Sequence, residues 1–400
     1  MTEPCYKKAN ELVTYRTGKL DSNAAVEDGK YPFFTCAQET YQINNYAFDT
    51  ECVLLAGNNA GGIFPLKFYK GKFNAYQRTY VIESRDPQRL NIKYFYFFLK
   101  PLLKSFEQQA TGATTKFLTI KILKGIQVML PDVGSQRKIA AILSAYDELI
   151  EINRRRISLL EKMAEEIYRE WFVRLRFPGH EKVKIVKGVP EGWRRKKVAT
   201  LTSYLKRGVA PQYDDSAEGM AINQKCIRAG KLDMSFARHQ SRDVPADRQI
   251  RFGDVLINST GEGTLGRVAQ VLTAISNCIV DSHVTIVRPK PGVPIHYFGM
   301  TLKAWEVHFT TMGRGATNQT ELAPSVIGNV EVTMPSMPLQ EAFESHAEPL
   351  FAQITQLIAK NERFARTRDM LLPRLISGKL PVEKLDIRFP PSMEEEDHAT

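Results

Sequence analysis

One segment of the chain has the spacing of a nucleotide-binding loop. Gly261-Glu262-Gly263-Thr264-Leu265-Gly266 satisfies the pattern G-x-G-x-x-G, which binds a pyrophosphate when a helix begins directly after the glycines. The residues that follow, Arg267 to Val271, have the β-branched composition of a strand. We therefore predict a hairpin turn at this place and no nucleotide site.

Other catalytic signatures are missing from the sequence. Methyl transfer to adenine would need an Asp/Asn-Pro-Pro-aromatic segment, and the only Pro-Pro pair, Pro390-Pro391, is followed by Ser392. There is no G-x-x-x-x-G-K-[S/T] loop and no H-E-x-x-H motif. The five cysteines are scattered without C-x-x-C spacing, which disfavours both a zinc site and a disulfide framework. We predict a protein with no catalytic centre, cofactor or metal of its own.

Polar and cationic side chains form two groups of the kind that DNA recognition requires. Base edges are read by hydrogen-bonding side chains, and the protein is positioned by cations on phosphates. The candidates in the first half of the chain are Lys67, Lys70, Lys72, Arg78, Thr115 and Lys116. Those in the second half are Lys225, Arg228, Arg238, Arg242, Arg314, Asn318 and Gln319. For each of them the alternative is an ordinary solvated polar residue.

Positive charge is unevenly distributed along the chain. The net charge is +11, of which residues 1–135 carry +5 and residues 179–339 carry +7. The two remaining stretches, 136–178 and 340–400, carry +2 and −3. This distribution favours a polyanionic partner bound by the two cationic regions.

The chain repeats itself with an offset of 204 residues. Gly112-Ala113-Thr114 precedes Val128-Met129-Leu130-Pro131, and Gly315-Ala316-Thr317 precedes Val332-Thr333-Met334-Pro335. From the two prolines onward the apolar positions coincide, as in a duplicated architecture with diverged surfaces. We therefore predict two copies of one unit, each a globular domain followed by a long helix.

The helices are predicted from apolar residues at three- and four-residue spacing over 136–172 and 340–376. Two helices of this length, each with an apolar seam, can bury their seams against each other as an antiparallel coiled coil. The alternative is that each helix folds onto its own domain. Asn153 and Asn361 fall on the seams, where they either fix the register or lie in solvent.

The predicted fold class is α+β with a pseudo-twofold internal repeat. Two mixed α/β recognition domains span residues 1–131 and 181–335, the helices occupy 132–180 and 336–382, and an acidic disordered tail follows from 383 to 400. No apolar run approaches the length of a membrane span, and the N-terminus lacks an apolar signal core. We therefore predict a cytoplasmic protein that does not bind membranes.

Several segments resemble the specificity subunit of type I restriction-modification systems. In the first copy these are Gln136 to Leu143, Ile157 to Met163 and Arg169-Glu170-Trp171-Phe172. The second copy contributes Val189-Pro190-Glu191-Gly192-Trp193, Gly253-Asp254-Val255-Leu256-Ile257 and Leu371 to Leu380. The resemblance extends from about residue 10 to residue 382 in the family's domain order, although the first domain begins without a Pro-x-Gly-Trp sequence.

The resemblance implies a noncatalytic DNA-recognition subunit. Its expected partners are double-stranded DNA with a bipartite target, two modification (methyltransferase) subunits and restriction subunits. Helix residues expected to face those partners are Ile152, Tyr168, Phe172, Phe351, Ile358 and Met370. The main alternative is a basic coiled-coil adaptor that binds RNA or protein without DNA specificity, and a nucleotide-using enzyme is a weaker one.

Overall fold

The computed structural model describes residues 5–59, 62–112, 115–314 and 320–396, with the side chains of 394–396 excepted. The chain is a mixed α/β protein that divides into two compact units. The first unit comprises residues 1–152 together with 360–400, and the second comprises 153–359. Each unit therefore includes part of both long helices.

The strands of the first unit are β1 (Tyr6–Lys8), β2 (Val13–Thr17), β3 (Tyr31–Phe34), β4 (Tyr41–Ile43), β5 (Phe48–Ala56), β6 (Asn58–Asn59), β7 (Leu66–Ala75), β8 (Thr79–Ser84), β9 (Lys116–Phe117) and β10 (Gln127–Met129). Its helices are α1 (Ala9–Leu12), α2 (Ile92–Leu99), α3 (Leu103–Gln109), α4 (Ile120–Lys124) and the start of α5 (Val133–Tyr168).

A six-stranded sheet in the order β2-β8-β5-β7-β3-β4 forms the framework of the first unit. The apolar helix α2 packs on it: Phe95 and Phe97 are buried in one cluster with Val53 and Leu55 of β5. Two small antiparallel sheets, β1-β10 and β6-β9, complete the unit. Burial of a β-branched and aromatic strand face against a helix is the expected source of stability for such a layer.

The strands of the second unit are β11 (Ile185–Val186), β12 (Val189–Pro190), β13 (Arg194–Lys197), β14 (Thr202–Arg207), β15 (Gly219–Ile222), β16 (Ile227–Arg228), β17 (Lys231–Leu232), β18 (Arg238–Gln240), β19 (Val255–Asn258), β20 (Val268–Gln270), β21 (Cys278–Val280), β22 (Val284–Pro289) and β23 (Glu331–Met334). Its helices are α6 (Val198–Leu201), α7 (Ile295–Ala304), α8 (Glu306–Thr311), α9 (Pro324–Asn329) and the start of α10 (Met337–Ile376). The larger sheets have the orders β14-β22-β19-β20 and β18-β15-β21.

The glycine-rich segment of the second unit is a turn between two strands, as the sequence predicts. β19 and β20 pair antiparallel with Ile257 opposite Val268. Gly261, Gly263 and Gly266 all have positive φ between them. A Cβ on Gly266 would lie 2.5 Å from the backbone nitrogen of Thr310. Gly266, the third glycine of the motif, therefore has a structural role: the lack of a side chain lets α8 pack closely against the turn.

The two long helices begin three residues earlier than their apolar periodicity predicts, at Val133 and Met337. At the first helix, the Asp132 carboxylate accepts bonds from the backbone N–H and the hydroxyl of Ser135, at 2.9 and 2.7 Å. These bonds hold the pKa of Asp132 below its usual range. The first turn is thus stabilised by a polar cap, which apolar spacing cannot reveal.

At its C-terminal end, α5 continues into one π-helical turn, Arg169–Val173. This wider turn accompanies the burial of successive aromatic rings in the second unit. The Phe172 ring lies 4.8 Å from the Tyr297 ring and 5.2 Å from that of Phe343, and Trp171 lies 6.0 Å from Phe343. The π turn brings both neighbouring rings onto the same core.

The long helices contact each other inside each unit. In the first unit the Tyr146 and Phe364 rings are 6.2 Å apart, and the Asn361 amide donates to the Ile150 carbonyl at 3.3 Å. In the second unit the rings of Tyr168 and Phe343 are 6.0 Å apart. The predicted seams therefore meet locally, and each helix also packs against its own unit.

The C-terminal segment differs from the predicted disordered tail in its described part. Met393 is buried in the core of the first unit, and Phe389 packs against the same core. Lys138 donates to the carbonyls of Glu383 and Leu385, both at 2.8 Å. The apolar residues among the charged ones anchor this segment in the core. The prediction of disorder rests on the acidic net charge and does not take these residues into account. Residues 397–400 lie outside the described residues.

The N-terminus of α7 is capped by a carboxylate from α10. Glu344 accepts the backbone N–H groups of His296 at 3.0 Å and Tyr297 at 3.2 Å, and its oxygen lies 2.8 Å from His296 Nδ1. Burial alone would raise the pKa of Glu344, but the bonds from His296 and Tyr297 hold it below its usual range. In the first unit a neutral cap serves α2, because the Asn91 side chain accepts from the Tyr94 N–H at 2.8 Å.

Candidate nucleic-acid interface

A loop that contains two of the predicted contact residues is closed by a backbone bridge in the first unit. Thr111 and Phe117 exchange both of their backbone hydrogen bonds, at 3.2 and 2.8 Å. Thr115 and Lys116 lie between them and are half-buried. Ala113 and Thr114 lie outside the described residues. We call residues 112–116 the first bridged loop.

The second unit contains a bridged loop of the same kind. Arg314 and Glu321 exchange two backbone hydrogen bonds of 2.9 Å. The predicted contact residues Asn318 and Gln319 lie between them, in the segment 315–319 that is outside the described residues. We call residues 315–320 the second bridged loop.

The bridges correct one part of the sequence alignment. Counted at the 204-residue offset, Arg314 aligns with Ala110, or nearby with Gln109, whereas the bridge places Thr111 in the corresponding position. The difference arises because the second copy has one residue inserted between Gly315-Ala316-Thr317 and Val332, so the offset is 203 before the insertion. Arg314 itself is exposed, and its bridge partner Glu321 forms an ion pair with Arg207 at 2.7 Å.

Both bridged loops are attached to a glycine-rich turn. The Leu118 N–H donates to the Gly57 carbonyl at 2.9 Å in the first unit. In the second unit the Leu322 N–H donates to the Ser259 carbonyl at 2.8 Å. In each unit the residue that follows the bridge is thus bonded to the glycine-rich turn after a strand of the sheet, the usual way in which a scaffold holds the base of a binding loop.

Arg78 lies beside the first bridged loop. Its guanidinium is 5.3 Å from the ring centre of Phe117, which is itself partly exposed. The two residues help to line a surface pocket of about 330 Å³. Arg78, Thr115 and Lys116 are thus brought together, while Phe117 is a member of this site that the sequence analysis missed.

The predicted lysines of β7 are distributed differently. Lys70 and Lys72 are exposed and lie opposite Glu51 and Asp49, near the start of β5. The Arg78 carbonyl instead accepts the Gly57 N–H, just past the end of β5. Lys72 Nζ lies 4.8 Å from the Tyr46 ring centre. These two lysines therefore do not belong to the site around the first bridged loop.

Lys67 has an internal role that the sequence did not predict. Its amine donates to the carbonyls of Ala37 and Glu39, at 3.3 and 2.8 Å, and to Thr40 Oγ1 at 3.1 Å. Burial lowers the pKa of this amine. Lys67 therefore fixes the conformation of the 37–40 loop, and its amine is not available as a free surface cation.

In the second unit, several cationic side chains predicted to contact DNA interact with other residues of the protein. Arg242 donates to the Ala210 carbonyl at 2.6 Å. Arg228 lies over the Phe236 ring, 4.5 Å from its centre. Lys225 is exposed in a short 3₁₀ turn. Arg238, on β18, packs closely on Tyr213, at 3.7 Å from the ring centre. No sequence pattern connects the two residues, since Tyr213 lies outside the strands and meets β18 through an isolated bridge.

The helix residues that are predicted to face partner subunits fall into two groups, one exposed and one covered by the domains. Ile152, Ile358 and Met370 are exposed by 51%, 40% and 60%. Tyr168 and Phe351 are buried, and the Phe172 ring packs in the second unit. The prediction of an outward position was wrong for these two buried residues, because the adjacent domain covers them.

Among residues 5–59, 62–112, 115–314 and 320–396, no helix combines the length and the apolar composition needed to cross a bilayer.

Comparisons with known proteins agree with these features. Residues 5–162 match the family model of the type I restriction modification DNA specificity domain. The chain is 34% identical over 251 residues to the type I restriction enzyme EcoDI specificity subunit of Escherichia coli, which covers 54% of this chain and 55% of that protein. It is 25% identical over 301 residues to the MjaIX specificity subunit of Methanocaldococcus jannaschii, covering 73% and 69%. The chain thus spans about half the length of the first of these relatives.

A solved structure shares the fold. The S subunit of a type I restriction-modification system from M. genitalium superposes with a TM-score of 0.63 at 17% identity, over 94% of this chain and 97% of that one. The domain match and the relatives thus make this chain similar to the specificity subunits of type I restriction-modification systems.

Proposed function

We propose that this chain is the sequence-specific DNA-recognition subunit of a type I restriction-modification complex and carries no catalytic centre. The observation that carries the proposal is the pair of backbone bridges, one per unit, that close segments of small and polar residues beside an exposed arginine, Arg78 or Arg314. Each loop and its surroundings would read one half of a bipartite target in double-stranded DNA. Relatives named as type I specificity subunits support the same role.

The two recognition domains would be copies of one ancestral unit, with the boundaries 1–131 and 181–335. Equivalent side-chain hydrogen bonds recur in the two units at positions 203 or 204 residues apart, and they support this interpretation. Tyr94 donates to the Met129 carbonyl at 2.7 Å, and Tyr297 donates to the Thr333 carbonyl at 2.6 Å. A glutamine bond is repeated as well, from Gln136 to Pro131 at 2.8 Å and from Gln340 to Pro335 at 2.7 Å. Polar bonds at matching positions are difficult to explain by shared composition alone.

The helical segments 132–180 and 336–382 would form an antiparallel coiled coil that sets the distance between the half-sites. Contacts inside the first unit support the antiparallel direction: residue 150 meets residue 361, and residue 146 meets residue 364. Asn361 bonds to backbone at this seam, which is the type of contact that fixes register.

The exposed apolar residues of the same helices would bind two modification (methyltransferase) subunits, and restriction subunits would join that complex. Leu149, Leu159 and Met163 extend the exposed set that includes Ile152. Their spacing of three, seven and four residues places them along one side of α5. A soluble monomer rarely leaves such a row uncovered.

Sequencing the methylated DNA of cells that express this chain with its modification subunit tests the proposal. We expect methylation at one motif made of two specified segments separated by a fixed unspecified gap. Methylation at no defined motif would overturn the proposal, and binding of RNA or protein in its place would favour the adaptor alternative.

Replacing Arg314 by alanine is expected to weaken DNA binding by the complex through the second half-site. Loss of a phosphate contact would be uniform across sequences and would make the slope of log affinity against log salt shallower by about 0.9. Loss of a base contact would cost about 1–3 kcal/mol at one base pair. Thr111 occupies the corresponding place in the first unit, so recognition of the first half-site should be unchanged.

Titrations of DNA at several salt concentrations measure this effect. Arg195→Ala is the matched control, since Arg195 is an exposed cation of β13 remote in sequence from the bridged loop. If affinity, salt slope and motif are all unchanged in Arg314→Ala, the second bridged loop is not part of the DNA interface.

A further inference from the structure

Arg238 and Tyr213 form a stacked pair on the surface of the second unit. The guanidinium carbon lies over the ring, 3.7 Å from its centre, which is van der Waals contact. Tyr213 is 41% exposed and Arg238 is exposed. The pair is therefore open to solvent, with the guanidinium against the ring.

The backbone that presents this pair is tied down on both sides. An isolated bridge joins Tyr213 to Gln240, next to Arg238 on β18. Arg242 donates to the Ala210 carbonyl at 2.6 Å, and His239 Nδ1 lies 2.7 Å from the Ala217 carbonyl. The segments 210–217 and 238–242 are thus cross-linked by polar contacts. The entropy cost of holding Arg238 in one geometry is correspondingly small.

The hydrogen-bonding capacity of Arg238 is not used inside the protein. Its guanidinium donates no hydrogen bond and makes no ion pair with any residue in the described part of the chain. A carboxylate close enough to influence Tyr213 electrostatically is Asp281, which is buried and accepts the His283 N–H at 2.8 Å. Arg242, by contrast, already has a protein partner.

We infer that Arg238, positioned by Tyr213, reads a guanine in the major groove of the second half-site. A guanidinium presents parallel N–H donors in a rigid fork that matches the N7 and O6 acceptors of guanine, and this is the commonest specific contact to a base. A phosphate contact needs charge but no fixed plane, so a stack that fixes the plane favours base readout. The inference rests on the proposed DNA-recognition function and adds a specificity residue and its base to it.

The test uses the complex of this chain with its modification subunit and DNA that carries the wild-type motif. Each guanine of the motif is replaced in turn by 7-deazaguanine, which lacks the N7 acceptor. We expect one guanine of one half-site at which the wild type loses affinity on this replacement. Arg238→Ala should bind the unmodified motif roughly 5- to 150-fold more weakly, corresponding to ~1–3 kcal/mol. The same variant should be insensitive to 7-deazaguanine at that position.

Further variants separate charge, stacking and folding. Arg238→Lys keeps the charge and should still lose the guanine preference, since an ammonium lacks the planar fork. Tyr213→Ala should lose part of the preference, and Tyr213→Phe, which retains the ring face, should restore it. Arg195→Ala removes an equal charge and should leave the base preference intact.

Two results would overturn the inference while leaving the proposed function in place. One is a uniform affinity loss in Arg238→Ala with an unchanged motif and a shallower salt slope, which would make Arg238 a phosphate contact. The other is an unchanged affinity and motif. If the wild-type complex itself binds no motif, the proposed function fails first and the inference fails with it.

Discussion

Replacing Arg288 by methionine should destabilise the second unit by about 3–5 kcal/mol, the usual cost of removing one partner from a buried ion pair. Arg288 makes a two-bond contact with Asp254, both bonds measuring 2.8 Å. The Asp254 side chain is completely buried and that of Arg288 is only 10% exposed. The arginine also donates to the carbonyls of Asp247 at 3.0 Å and Gln249 at 2.7 Å. Methionine would leave the carboxylate without its charge partner and these two carbonyls without their donor.

Chemical denaturation followed by tryptophan fluorescence measures this loss selectively. All three tryptophans, Trp171, Trp193 and Trp305, belong to the second unit. Arg207→Met is the matched control, because the Arg207–Glu321 pair is partly exposed and should contribute no more than about 1 kcal/mol. The double variant Arg288→Met/Asp254→Leu should recover much of the lost stability, since it leaves no buried charge. Equal losses in Arg288→Met and Arg207→Met would contradict the assignment.

Exchanging residues 1–135 for the first domain of a relative with a different target should replace one half of the recognised motif and preserve the other half and its methylation. Specific and nonspecific DNA affinities typically differ by a factor of about 10³ to 10⁷. If the two halves contribute equally, the chimera should bind the original motif about 30- to 3,000-fold more weakly than the parent does. The physical reason is that the core of each unit is separate, so that its reading surface can be exchanged without repacking the other.

The graft must retain two contacts that cross its boundary. Gln136 on α5 accepts the Asn91 N–H at 2.9 Å and donates to the Arg89 carbonyl at 3.0 Å. Methylated-DNA sequencing of the chimera gives the new motif, and the reciprocal exchange of residues 181–335 is the control. A change in both halves of the motif after a single exchange would count against two independent recognition domains.

The sequence located the long helices and the hairpin turn well because both depend on local patterns. Apolar spacing fixed the helices to within three residues at their starts, and strand-like residues after Gly266 identified the turn. The motif Gly253-Asp254-Val255 was recognised as a family feature, but its physical basis was not visible. Only the structure shows that Asp254 holds Arg288, 34 residues away.

The candidate site was predicted less completely because it depends on contacts between distant residues. Charge counting cannot distinguish the enclosed amine of Lys67 from the exposed Arg78, which belong to the same cationic stretch. It also cannot pair Arg238 with Tyr213, since an isolated backbone bridge between Tyr213 and β18 brings them together. Asn318 and Gln319 stay predictions, because they lie outside the described residues.

The cap that Glu344 provides for α7 makes the start of this helix sensitive to acid, unlike the start of α2. A carboxyl group whose pKa is lower in the folded state stabilises the fold above its unfolded pKa, and this contribution is lost as the pH falls through the folded value. The pKa of Glu344 is lowered in this way, whereas Asn91, which caps α2, does not titrate. Acidification should therefore loosen the junction of α7 and α10 while the α2 cap is unaffected, which a pH series of tryptophan fluorescence would detect. In the first unit the acid-sensitive cap is instead Asp132 at the start of α5, so each unit should loosen in acid at a different helix.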